Sequence, residues 1–352
     1  MDYMKYNILV ECMTYNHSRF ITDAMNGFCL QQTDFPYVCT IMDDASNDGE
    51  PDVIKAFFYN NFDVDDANIY RKEETTDYIF LFARHKTNRN CFFAVFFLKV
   101  NHCRLKIDKS QYLVRWKEHV DYIAMCEGDD FWTDSEKLQK EYVYLNNHPE
   151  KGLVYTNCNV LFHDEGIIHK DVFSSGYFKS TNSYKDFLLE GKYLTPCSWV
   201  YRTNELSDIK VPPFVTDWTL FIAFSLLVKG RVGYINDTTC TYRVSHDSAS
   251  HNRYINKRFN YLKGAFAAER FFLDYYPSLF TEEDKDLLYE RRYKNLMRFA
   301  VAFNDKPLLY KIKSFRFKTL NWKSRLILLL SGFSLIRKYV YKRLKESIKK
   351  GL

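Results

Sequence analysis

The chain has 352 residues and is 46% hydrophobic, enough to bury the core of one large domain with an extension or of two smaller domains. Its net charge of +6 is unevenly placed: residues 311–352 hold thirteen Lys and Arg against the single acid Glu346, which leaves residues 1–310 at −6. An acidic body with a basic, aliphatic tail and no recognised nucleic-acid module argues against a nucleic-acid partner.

The opening residues run straight into a strand pattern, Asn7 to Met13, without the profile of a signal peptide, so a cytoplasmic location is expected. The nine cysteines form no CxxC pair and lie mostly in apolar runs, as small core residues of a reducing compartment do. After the polar turn Thr14-Tyr15-Asn16-His17, Ser18 is the expected cap of a helix to about Gln31, with Phe20, Ile21, Ala24, Met25 and Phe28 at helical spacing. Tyr37 to Met42 reads as a second strand. It ends in Asp43-Asp44-Ala45-Ser46-Asn47-Asp48-Gly49, which suits a turn, and Pro51 then opens a helix to about Asn60.

A short strand is expected near Asn68 to Arg71, another at Phe80 to Arg84, a buried helix over Cys91 to Cys103 and an amphipathic connector from Lys106 to Glu118. Arg84, Lys86 and Arg89 form a basic cluster that suits a diphosphate or, equally, an exposed turn. The apolar run Tyr122 to Cys126 ends abruptly in Glu127, Asp129 and Asp130, with Gly128 permitting a tight bend. In open α/β sheets ligands bind beyond the carboxyl ends of strands, and clustered carboxylates there suit a hard divalent cation shared with substrate phosphates. The alternative is an acidic loop capping the next helix. Thr133-x-x-Glu136 predicts a capping box for a helix to about Asn147 with Leu138, Tyr142 and Leu145 inward, followed by a strand at Leu153 to Asn157.

Beyond Asp164 the pattern loosens. A short helix is expected over Ser183 to Glu190 and a strand over Trp199 to Arg202. Asp217 precedes a strongly apolar helix, Thr219 to Val228, where a carboxylate also serves the helix dipole. Two strands (Arg231 to Ile235, Thr239 to Val244), a polar loop holding His246, and helices at roughly 252–274 and 282–304 complete the body. The alternation of strands and helices predicts an α/β fold with a mostly parallel sheet and helices on both faces.

In the tail, Leu326 to Ile336 is an apolar core of eleven residues between Arg325 and Arg337. At 1.5 Å per residue it spans about 16 Å, half of a bilayer's hydrocarbon, so it does not cross one. Leu, Ile and Phe beside Lys and Arg suit a helix lying on an anionic membrane surface, with packing on the body as the alternative.

Several of these landmarks, in order, match one family. The strand with Thr14-Tyr15-Asn16-His17, the run Asp43 to Gly49, the stretch Tyr122 to Asp134, Thr216-Asp217-Trp218 and Tyr242-Arg243-Val244 resemble the family 2 glycosyltransferases of GT-A fold, particularly bacterial members that build surface polysaccharides. The most specific match is Glu127-Gly128-Asp129-Asp130-Phe131-Trp132-Thr133-Asp134. The resemblance implies a GT-A domain over 1–250, with a nucleotide half to about 130 and an acceptor half from 131, a helical extension over 251–310, and the basic tail over 311–352. It implies inverting transfer of a sugar from a nucleotide-diphosphate sugar to the hydroxyl of a glycan or lipid-linked acceptor, assisted by Mg²⁺ or Mn²⁺.

Carried over by residue, Asp130 is the implied metal ligand, Asp129 the contact to donor sugar or ribose, and Glu127 their support. Thr14 and Asp44 would hold the base and ribose of the nucleotide, and Asp217 would be the catalytic base. His246 would be a further metal ligand, displaced by one residue because Ser245 stands where the family often has His. A second departure is Asn88-Arg89-Asn90-Cys91-Phe92, which lacks the family's Gly. A sugar nucleotidyltransferase is the competing enzyme, disfavoured because residues 8–20 contain no Gly-rich phosphate loop; a non-catalytic sugar-nucleotide-binding protein is the other alternative.

Overall fold

The computed structural model describes residues 5–178, 183–192, 194–206, 219–246, 248 and 252–349. The chain divides into two compact units, one of residues 1–183, 193–210 and 219–243, the other of 184–192, 211–218 and 244–352.

The first unit is built on one sheet. Its strands in chain order are β1 (Ile8–Thr14), β2 (Tyr37–Asp43), β3 (Arg71–Glu74), β4 (Tyr78–Arg84), β5 (Cys91–Leu98), β6 (Tyr122–Met125), β7 (Phe131–Trp132), β8 (Leu153–Phe162), β9 (Ile167–His169), β10 (Trp199–Arg202) and β11 (Val232–Val244). Across the sheet they run β3-β4-β5-β2-β1-β6-β10-β8-β11-β7, with β9 on β8. Only the centre, β5-β2-β1-β6, is parallel; the flanking pairs whose register is resolved are antiparallel, so the sheet is mixed rather than mostly parallel. β2 and β5 are buried along their whole length, and β1 nearly so, as continuous apolar runs in a parallel centre must be.

That burial explains one failed expectation. Cys91–Leu98 is a strand, not a helix, because a run buried on both faces carries no period by which helix and strand can be told apart. Its helical sequel is short: α3 (His102–Leu105), a 3₁₀ turn and α4 (Val114–Lys117).

α1 (Ile21–Cys29) starts three residues beyond Ser18, whose amide instead donates to Asp48 Oδ2 at 3.0 Å. A Cβ on Gly27 would lie 2.8 Å from the Trp132 carbonyl oxygen, so this glycine lets α1 press directly on β7. α2 (Glu50–Asn61) follows β2 with Pro51 in its first turn. α5 (Lys137–Asn147) forms without the expected capping box: the Thr133 amide bonds Thr239 O on β11 at 2.9 Å, and Asp134 Oδ1 takes the Glu136 amide at 2.8 Å. Its Tyr142 is only half-buried, whereas Lys137 and Glu141 are fully buried as a mutual ion pair. α6 (Thr219–Val228) matches its expected bounds. The two strands expected at 231–244 are one, β11, whose polar middle at Asn236-Asp237 is exposed.

The second unit is helical: α7 (Ile255–Tyr275), α8 (Glu282–Phe303), α9 (Lys306–Ser314), α10 (Trp322–Leu329) and α11 (Ser334–Lys349). Thr281 and Asp284 close a capping box on α8. One hydrophobic cluster runs from Phe259 and Leu296 through Ile312 to Leu328, Val340 and Ile348, so the tail helices share a core with α7 to α9. The apolar run Leu326 to Ile336 is not one helix; it breaks at a 3₁₀ turn, Leu330–Gly332.

Candidate active site

Parallel pairing brings three strand ends to one edge. Thr14 at the end of β1 lies beside Asp43 at the end of β2, and the ladder continues past β6, with Cys126 N on Glu11 O at 3.1 Å and Gly128 N on Met13 O at 3.1 Å. The polar turns after β1 and β2 and the acidic turn after β6 therefore converge, as the sequence suggests.

Glu50, fully buried at the head of α2, laces the first two turns together. Its carboxylate accepts the Thr14 hydroxyl, the His17 amide at 2.8 Å and the Ser46 hydroxyl at 2.8 Å. Asn16, in the left-handed region at φ 58°, adds two rungs: its amide donates to Ser46 Oγ at 2.8 Å and its Oδ1 accepts the Asn47 amide at 2.9 Å. Three of these bonds end on a carboxylate, which makes them stronger than neutral ones.

The third turn is seated on Thr14. A Cβ on Gly128 would stand 2.1 Å from Thr14 Oγ1, so glycine is the residue that lets the acidic turn lie against β1. Asp129 and Asp130 are both buried, and Glu127 is exposed at the rim. Asp130 Oδ1 accepts the Arg243 amide at 2.8 Å, because β7 pairs with β11 and carries the acidic turn alongside that strand. The Arg243 guanidinium is itself buried. It donates to Asp23 Oδ2 at 2.6 Å and lies over the rings of Phe20 (4.4 Å) and Phe131 (4.9 Å). Asp129 Oδ2 faces His17 Nε2 at 4.0 Å, and His17 Nδ1 is 3.2 Å from the Thr14 hydroxyl.

These surroundings set the charges. Burial, then the adjacent Asp129, holds the Asp130 carboxyl well above the usual range, against the pull of the Arg243 amide. Burial also lifts Asp43 to about 6, opposed by its bonds from Ser46. A divalent cation suits such a pair: Mg²⁺ and Mn²⁺ are bound through one or two carboxylates with the remaining positions left to water and substrate phosphate. Among the described residues no three His, Cys, Asp or Glu side chains cluster as a complete protein-only metal site. Asp130, the expected metal ligand, lies buried beside Asp129 at this edge and would be the residue to hold such a cation.

One expected site residue falls elsewhere, and another is occupied. Arg84 pairs with Phe92, which is level with Val38 at the start of β2. Five residues separate Val38 from Asp43, about 17 Å along a strand, so Arg84 stands at the opposite end of the sheet from the carboxylates. There it pairs with Asp66 at 3.6 Å, and its neighbours Lys86 and Arg89 bond the Asn60 carbonyl and Asp63. Asp44 lies at the right edge, but its carboxylate is committed. It accepts the amides of His102 (2.6 Å) and Cys103 (3.0 Å) at the start of α3 and the Lys109 ammonium (3.2 Å). It braces the chain after β5, whereas Asp43 lies opposite Thr14 in the ladder and accepts the Ser46 amide.

Asp217 lies outside the described residues. His246 is two residues beyond β11, half-buried in the second unit, where its carbonyl accepts the Arg253 amide at 2.7 Å. Sequence reasoning gave no individual role to Glu50, His17, Asp43 or Arg243, although the last three stood in matched motifs. Glu50 carried only the weak signal of an acid opening a helix after Asp-Gly.

No family model matches the chain. Among curated proteins it is similar to the uncharacterized proteins Rv1520 of Mycobacterium tuberculosis and Mb1547 of Mycobacterium bovis, each 28% identical over 251 residues, covering 70% of this chain. The chain's match spans 61% of the length of those relatives. Among solved structures it is similar to residues 1–349 of S. aureus TarS in complex with UDP-GlcNAc, with a TM-score of 0.52, 14% identity and coverage of 98% of this chain and 92% of that one. A longer S. aureus TarS structure matches with a TM-score of 0.51 at 14% identity, over 97% of this chain and 55% of its own. The fold is the GT-A fold expected from the motifs, with its sheet mixed.

Proposed function

We propose that this chain is a GT-A glycosyltransferase that moves a sugar, with inversion, from a nucleotide-diphosphate sugar to an acceptor hydroxyl, in the synthesis of a bacterial surface glycan. The observation that carries the reading is the buried Asp129–Asp130 pair, held at the C-terminal edge of the parallel strands by Thr14, Gly128 and the Arg243 amide. Two adjacent buried carboxylates repel one another and cost stability, and such a pair is retained where it binds something positive. The structural likeness to a protein solved with UDP-GlcNAc supports the same reading.

In this reading Thr14, Asp43 and the turn they border hold the base and ribose of the nucleotide. Asp129 orients the donor and His17 orients Asp129. A bound Mg²⁺ or Mn²⁺ ion would be held by Asp130 and would neutralise charge on the leaving diphosphate. Asp217 is the base that takes the acceptor proton, on the face of the sugar opposite the leaving group. Rigid lacing of the turns through Glu50 fixes the anomeric carbon for attack. The acceptor is a glycan or lipid-linked glycan met at the inner face of the cell membrane.

The test is transfer or slow hydrolysis of UDP-, GDP- and dTDP-sugars by the purified protein with Mn²⁺. Asp130→Ala and Asp217→Asn are each expected to lower turnover by orders of magnitude. Undiminished turnover in both variants would end this assignment.

A further inference from the structure

The helices of the tail expose a second surface unrelated to the donor site. In α10 and the turn after it, Ser324, Leu328 and Ser331 face the shared core, while Trp322, Leu326, Leu329 and Phe333 are 69%, 45%, 76% and 63% exposed. Trp322, Leu326 and Leu329 recur at spacings of four and three residues, which places them on one side of α10, and Phe333 follows the 3₁₀ turn. On α11, Leu335 and Tyr339 are likewise 77% and 56% exposed. A stripe of large apolar side chains of this kind, opposite a face that is already buried, marks an interaction site rather than a core face.

We propose that this stripe docks on an anionic lipid surface, with α10 lying in the plane of the interface. Charge selects that occupant. Lys323 beside the stripe, and Lys338 and Lys342 on α11, are exposed, and residues 311–352 hold thirteen basic residues against Glu346 alone. A partner with this complement must be apolar within and negative at its rim, as a bilayer rich in acidic headgroups is. A second copy of the same face would set basic tail against basic tail. Among the described residues no helix is long and apolar enough to cross a membrane. Trp322 at one end suits the headgroup level, where amphipathic rings collect. The inference is independent of the donor reading, since no residue of the stripe belongs to the acidic site.

The test is flotation of the full chain with vesicles of phosphatidylcholine alone or of equimolar phosphatidylcholine and phosphatidylglycerol, with Trp emission recorded in parallel. Binding is expected to anionic vesicles only and to weaken as salt is raised. It should shift the emission to the blue, a shift that Trp322→Phe removes when tested in a Trp218→Phe background, because Trp116, Trp132 and Trp199 are already buried. The double substitution Leu329→Glu, Phe333→Glu, at exposed positions, should leave the melting temperature unchanged and weaken binding by more than about tenfold. Equal flotation with neutral vesicles, or anionic binding that survives the double substitution, overturns the proposal. So does a concentration-dependent dimer that the double substitution dissolves without any vesicle binding; a second copy would then be the occupant.

Discussion

Replacing Gly128 by alanine tests how the acidic turn is seated. The new Cβ would stand 2.1 Å from Thr14 Oγ1, 2.7 Å from Thr14 Cβ and 3.1 Å from Ile21 Cδ1. Carbon atoms in contact sit about 3.5–4.0 Å apart, so the turn or β1 must yield by roughly an ångström. Thr14 cannot swing aside cheaply, because its hydroxyl is bonded to buried Glu50 and lies 3.2 Å from His17 Nδ1. Overpacking of this kind costs about 1–3 kcal/mol. At roughly 2–4 °C per kcal/mol for a domain of this size, the melting temperature should fall by about 2–12 °C. The functional loss should be larger in proportion, since a displacement of about 1 Å at a reacting centre costs on the order of 100-fold. Differential scanning calorimetry and titration with sugar nucleotide measure both effects. Gly264→Ala is the companion: it lies inside α7 with open space around its Cβ, and it should raise stability by about 0.5–1 kcal/mol. A Gly128→Ala protein that melts with the wild type and binds donor equally would refute the packing of the acidic turn on Thr14.

Asp44→Ala removes one carboxylate from two amides and an ammonium; hydrogen bonds to a charged group contribute about 1.5–3 kcal/mol each, so thermal melts without any ligand should show a loss of several °C. A stability equal to wild type would mean that Asp44 does not brace α3. For Asp43 the sign follows from its folded pKa of about 6, raised by burial: the advantage of the protonated carboxyl is present at low pH and is lost as pH rises through about 6. Asp43→Asn stays neutral and keeps an oxygen for Ser46, so its stability relative to wild type should climb between about pH 4 and 6 and then level. Urea melts across that range measure it, and a difference independent of pH would contradict the assignment.

The edge that gathers the carboxylates was legible in the sequence because β1, β2 and β6 are short apolar runs that stop at polar turns, a local signal. The placement of Arg84 was not. It depends on the antiparallel return of β4 beside β5, a register set by partners far away in sequence, and it carries the arginine to the wrong end of the sheet. Asp44 and Asp43 read alike as neighbours in a turn, and only the amides of α3 distinguish them. The capping box failed because Thr133 is drawn into the pairing of β7 with β11, a tertiary claim on a residue whose local pattern says helix cap. Glu50 was invisible for the same reason: its three partners come from two different turns. In the tail, the helix break at Leu330–Gly332 turns one expected amphipathic helix into two, with the apolar residues shared between a core face and an exposed stripe.

The measurement closest to the proposed chemistry is calorimetric titration of UDP-, GDP- and dTDP-sugars into the wild type and Asp130→Asn, each with and without Mn²⁺. Asparagine keeps an acceptor for the Arg243 amide and stays neutral beside Asp129, so the variant should melt no lower than wild type. Wild type is expected to bind one class of sugar nucleotide more tightly with Mn²⁺, and Asp130→Asn to lose that enhancement. Equal, metal-independent binding by both proteins, or no sugar nucleotide bound by a correctly folded wild type, would contradict the assignment of the Asp129–Asp130 edge as the donor site.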